Sequence, residues 1–172
     1  TGCCSVMAEG ESSGIFTDIK RVTVAVSRKS DVISSDTECL TAIGNADGFR
    51  EILEDPAIIK YGYDLKRQLD ILTQNGIQMQ GRLMDIELMH YLINPEKSHK
   101  IDILALSYLD VTLGQVNQEV KDSESATLFD EEPLEETVCD RLEEAAVIIL
   151  LGEKIRKEME ESGLIGLYES ME

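Results

Sequence analysis

The chain has 172 residues, of which 42% are hydrophobic and 29% charged. That suits one domain, residues 1–172, with its own core, and it excludes a disordered segment. The formal net charge of −18 serves solubility and repels phosphate backbones, so the isolated chain is expected to bind nucleic acid poorly. No apolar run approaches membrane length and no signal peptide opens the chain, which predicts a cytoplasmic protein without a membrane partner.

Taken in chain order, residues 3–8 form a small apolar run and predict a first strand. Val22-Thr23-Val24-Ala25-Val26 is rich in β-branched residues and predicts a second. Residues 28–30 read as a hairpin turn and residues 31–35 as a third strand. Residues 49–54 form a short amphipathic helix before Pro56. Residues 58–61 follow as a strand, and Asp64 stands at the N-cap position of a helix carrying Leu65, Leu69 and Leu72. Asn75-Gly76 supplies its left-handed stop. Residues 77–83 read as another extended run. Asp85 caps a helix that Asn94-Pro95 ends, and residues 101–109 are helical again. Residues 121–136 are acidic and contain Ser and Pro133, which predicts a solvated loop. Residues 137–160 form the longest helix, nearly all apolar at Val147-Ile148-Ile149-Leu150-Leu151 and therefore buried, with Gly163 as its stop. Strands and helices in this alternation imply helices packed on a mixed sheet, an α/β fold.

Cys3, Cys4, Cys39 and Cys139 include no C-x-x-C pair, and His90 and His99 do not stand at zinc spacing from them. Free buried thiols in a reducing compartment follow, with each histidine isolated. Both ends fall within structured-looking segments, so the chain reads as a piece of a longer protein.

Three stretches carry a resemblance. Ile59-Lys60-Tyr61-Gly62-Tyr63-Asp64-Leu65-Lys66, Gly76-Ile77-Gln78-Met79-Gln80-Gly81 and Met84-Asp85-Ile86-Glu87-Leu88-Met89-His90-Tyr91-Leu92-Ile93-Asn94-Pro95 resemble the middle of the 3′–5′ exonuclease domain of bacterial DNA polymerase I (family A). His99-Lys100-Ile101-Asp102-Ile103-Leu104-Ala105-Leu106-Ser107-Tyr108-Leu109 is similar to that family's His-x-Met-Asp-x-Leu-Ala-x-x-Tyr-Leu helix. The likeness is strong over residues 57–109. It implies a ribonuclease-H-like fold with a mixed central sheet. Residues 161–172 resemble the segment leading toward the polymerase domain.

An active member of that family holds two Mg or Mn ions with carboxylates, which activate water and stabilise the leaving oxygen. The resemblance places the two first-strand acids on Val6 and Ala8, with Glu9 one residue off and so on the opposite sheet face. It places the Asn of the second motif on Asp64 and its metal-binding Asp on Gln68. In the third motif the Tyr falls on Asp140 and the last Asp on Glu144. Only Glu144 keeps a carboxylate where the family has one, so no catalytic, cofactor or metal residue is expected to be functional. The reading that follows is an inactive proofreading-like domain, with no cofactor of its own, supporting the DNA-synthesising domain of a DNA polymerase I in replication and repair. Its partner would be the polymerase domain of the same chain, with DNA reached only through the parent protein, as a monomer. The alternative is an active metal-dependent 3′–5′ exonuclease using shifted carboxylates, Glu9, Asp64, Asp140 and Glu144. A third reading is an acidic face that binds a basic partner.

Overall fold

The computed structural model describes residues 2–13, 16–27, 37–113 and 134–171. Five strands form one sheet: β1 (Cys3–Ser13), β2 (Phe16–Ser27), β3 (Thr37–Ile43), β4 (Ile59–Gly62) and β5 (Leu83–Asp85). Their order is β3-β2-β1-β4-β5. The first three run antiparallel as a meander, and β4 and β5 add parallel to β1. Among the described residues six α-helices pack with it: α1 (Arg50–Leu53), α2 (Leu65–Gln74), α3 (Ile86–Ile93), α4 (Ile101–Leu109), α5 (Leu134–Glu161) and α6 (Ile165–Met171).

Alternation along β1 divides the core into two layers. Cys4 and Val6 point toward α1 and α2, among Val22, Val24, Leu53, Leu65 and Leu72. Cys3 and Met7 point the other way, among Tyr61, Met84, Met89, Ile148, Leu151 and Ile155. The apolar middle of α5 is buried in this second layer, as its composition predicts. Two hydrogen bonds set its position: Ser5 Oγ donates to the Ala145 carbonyl at 2.6 Å, and Tyr61 Oη donates to Glu153 Oε1 at 2.6 Å. Between them Gly152 lies flat on the Tyr61 ring, where an added Cβ would stand 2.3 Å from Cδ1. The expected left-handed stops hold, with φ of 77° at Gly76 and 70° at Gly163.

The structure differs from the sequence reading in five places. The third strand is Thr37–Ile43, while residues 31–35 lie outside the described residues. Thr37 to Ile43 escapes notice because its apolar residues do not keep to one face: Leu40 and Ile43 are exposed, so no clean alternation marks the strand. Of the extended run expected over residues 77–83 only Leu83 pairs in the sheet, in the strand Leu83–Asp85. Residues 77–82 are held instead by Gln80 N–H donating to the Leu53 carbonyl at 3.0 Å and by the buried Lys60 ammonium donating to the Asp55 and Gln80 carbonyls. The longest helix starts at Leu134, inside the expected acidic loop, whose residues 121–133 lie outside the described set.

Asp64 precedes α2 but does not cap it with its side chain. Its backbone is left-handed, with φ of 51°, and a capping side chain reaches the first-turn N–H groups from an extended backbone. Asp85 does the work for both helices. Its Oδ2 accepts from Leu65 N–H at 2.6 Å, and its Oδ1 from Glu87 N–H at 2.9 Å and Leu88 N–H at 3.3 Å. Burial pushes the Asp85 carboxyl up, and these N–H groups pull it back. Its own N–H donates to the Tyr168 hydroxyl at 2.8 Å, which docks α6 against the end of β5. Finally, His90 and His99 are not isolated: their Nδ1 atoms are 2.7 Å apart, in an edge-on ring contact. Cys3, Cys4 and Cys39 are free thiols, and burial pushes Cys3 up to about 11 and Cys4 to about 12.

Two outcomes follow. Asp85→Ala should destabilise the chain by about 2–4 kcal/mol, since it uncaps two helix starts at once; the urea midpoint measures it. Burial, and then His99, hold His90 below the ordinary histidine range of 6.5. A base whose pKa falls on folding binds fewer protons folded than unfolded. Stability is therefore full above that value and falls as the pH drops through it. The urea midpoint should decline below roughly pH 6.5, and His90→Gln should flatten the decline.

Candidate functional site

The residues that the resemblance singles out lie on β1, at the start of α2 and on α5. Val6 and Ala8 face the α2 layer; Val6 is wholly buried among apolar side chains, and Ala8 packs at its margin. Gln68, one turn into α2, is 7% exposed. Its carboxamide bridges the two elements: Oε1 accepts from the Ala8 N–H at 3.3 Å, and Nε2 donates to the Tyr63 carbonyl at 2.7 Å. A backbone donor on one side and an acceptor on the other fix the orientation of the amide and use both of its ends.

Glu9 leaves β1 on the opposite face, beside the bulge between Glu9 and Gly10. There it meets α5. Arg141 Nε lies 2.6 Å from Glu9 Oε1, and Arg141 Nη1 donates to Glu144 Oε2 at 2.5 Å. Arg21, 5% exposed on β2, lies behind Glu9 with Nη1 3.8 Å from Oε2. Burial works against the Arg141 charge, yet Glu144 and Glu9 outweigh it and hold the guanidinium above its ordinary pKa. Asp140 lies one turn before Glu144 on the same helix, and its charge also favours Arg141. Asp64 sits elsewhere, beside Asp85 and Glu87, whose carboxyls it helps to raise after burial.

Ala8 is thus joined to Gln68, and Glu9 to Glu144 through Arg141, while Asp64 belongs to a third locality. Among the described residues no group of three or more His, Cys, Asp or Glu side chains is placed to hold a metal ion. Two magnesium ions need hard anionic oxygens in an octahedral shell. Gln68 offers a neutral oxygen already engaged, Val6 and Ala8 offer none, and a fixed cation stands between Glu9 and Glu144. This donor set does not fit such a pair of ions. Sequence reading missed Arg141 and Arg21; the i, i+3 spacing of Arg141 and Glu144 was the one available signal.

A mixed sheet with an antiparallel three-strand meander, two parallel additions, and helices on both faces defines a ribonuclease-H-like exonuclease fold. A family model described as DNA polymerase I, ribonuclease H-like domain, matches residues 17–120, and the chain belongs to that family. The chain is similar in structure to the POL domain of Pol1 from M. smegmatis in complex with DNA primer-template and dNTP: TM-score 0.66, 16% identity, 96% of this chain and 25% of that one. It is also similar to Escherichia coli RNase D, an exoribonuclease, with TM-score 0.65, 14% identity, and 94% and 40% of the two chains. With Brucella melitensis NrnC the TM-score is 0.70 at 13% identity, over 98% and 79%. The chain therefore spans about a quarter of the Pol1 structure it matches. No curated protein matches it in sequence. No helix among the described residues is long and apolar enough to cross a membrane.

The Gln68 bridge has a direct consequence. Gln68→Glu, nearly identical in shape, sets an anionic oxygen against the Tyr63 carbonyl. It should cost about 1–3 kcal/mol at neutral pH. The gap to the parent chain in urea midpoint should close below roughly pH 4, where the carboxyl is protonated and can donate again.

Proposed function

We propose that this chain is a catalytically silent 3′–5′ exonuclease-like domain of a DNA polymerase I, serving as a rigid support for a DNA-synthesising domain. The observation that carries the reading is Gln68. At the position the family gives to a metal-binding Asp, this chain has a carboxamide whose oxygen and nitrogen are both bound to backbone. Converting it into a ligand would break a bond between β1 and α2. Val6 on the same face adds apolar packing where the family has charge, and buried charge without a partner is costly. The fold is kept in full while the donors are replaced, the pattern of a scaffold retained for packing.

The net charge of −18 agrees with a domain that does not grip a phosphate backbone by itself, so DNA would be met through the parent protein. Free, buried Cys3 and Cys4 agree with a reducing, cytoplasmic setting. In this reading the domain needs no cofactor and works in the replication and repair carried out by its parent.

The test is direct. The chain is incubated with single-stranded DNA and Mn2+, and release of mononucleotides is followed beside an active proofreading domain. No release above the metal-free control is the expected result. Mononucleotide release abolished by Glu9→Gln or Glu144→Gln would establish the shifted-carboxylate enzyme instead.

A further inference from the structure

The proposed silence leaves open what compensates the carboxylates that remain. Glu9 projects from the α5 side of β1, and Glu144 from α5 itself. A metal joining such groups would offer positive charge between two anionic oxygens. Here that place belongs to a side chain. Arg141 lies between the two: its Nε is 2.6 Å from Glu9 Oε1, an ion pair without hydrogen-bond geometry, and its Nη1 donates to Glu144 Oε2 at 2.5 Å. Arg21 adds a second positive charge behind Glu9, 3.8 Å away and 5% exposed. Its Nε and Nη1 have no hydrogen-bond partner among the described residues. Buried guanidinium nitrogens without hydrogen bonds are costly, and the neighbouring Glu9 charge offsets that cost. The guanidinium never loses its proton and is tethered to the chain, so it cannot be chelated away or exchanged.

We propose that Arg141, backed by Arg21, is a built-in counter-ion standing in for divalent metal, so that β1 and α5 are clamped by a covalently attached cation. This rests on the silent-domain reading, but it fails separately. Nuclease assays judge whether the chain cuts DNA; the present claim concerns whether its fold responds to metal.

The thermal unfolding midpoint is measured for the parent chain, R141Q and the double variant E9Q/R141Q, each with and without millimolar Mn2+ and with NaCl at matched ionic strength. The parent midpoint should not move with Mn2+. R141Q leaves two carboxylates facing each other; its midpoint should fall, and Mn2+ but not NaCl should raise it again by roughly 2–4 °C. E9Q/R141Q removes one of those carboxylates and should lose the Mn2+ response. If R141Q is unfolded without metal, folding on addition of Mn2+ is the supporting result. A parent midpoint that rises with Mn2+ as much as that of R141Q overturns the proposal. So does an R141Q chain indifferent to Mn2+, folded or unfolded, or a double variant that responds as strongly as R141Q.

Discussion

Helix α5 lying against the sheet is the contact on which the rest of the molecule depends. Its position is set at three points along its length. Arg141 reaches Glu9 at the end of β1 that carries the bulge. The Ala145 carbonyl takes the Ser5 hydroxyl in the middle of β1. Gly152 and Glu153 meet Tyr61 on β4, the first by having no side chain and the second by accepting the phenol proton. A slide of one residue along the helix would break the first and the third, because neither Arg141 nor Gly152 has an equivalent at the next position. The apolar residues beside them, Ile148, Leu151 and Ile155, are wholly buried and supply the driving force. The polar contacts supply the register.

The opposite face is organised by carboxylate and carboxamide groups that satisfy backbone. Asp85 gathers N–H groups from the starts of α2 and α3, and Gln68 joins α2 to β1. Lys60 does the same with carbonyls, gathering Asp55 and Gln80 where the chain runs without regular structure. Each of these is a polar side chain taken out of water and paired inside the protein, the arrangement burial demands. In the proposed reading, function has been exchanged for connectivity: Gln68 links β1 to α2 on this face, and Arg141 links β1 to α5 on the other.

Much of this was legible in the sequence. The stops at Gly76 and Gly163, the buried run of α5, the strand at Val22–Val26 and the helix over 101–109 follow from local rules: which residues tolerate a left-handed backbone, and how apolar side chains repeat along a helix or a strand. The run from Ile59 to Leu109 carried the family. Gln68 was visible as a neutral residue where the resemblance expects an acid. What it holds was not, because Ala8 lies 60 positions away and the contact uses its backbone.

The sequence by itself determined the fold class and the family, since these depend on residue type and spacing along one chain. Only the tertiary structure decided that Asp85 caps two helices, that His90 meets His99, that β3 begins at Thr37 and that Arg141 lies between Glu9 and Glu144. Those pairings join segments whose separation in sequence says nothing of their distance in space. They form where sheet and helices close over one another, and a buried polar group takes whichever partner that closure brings within a hydrogen bond's reach.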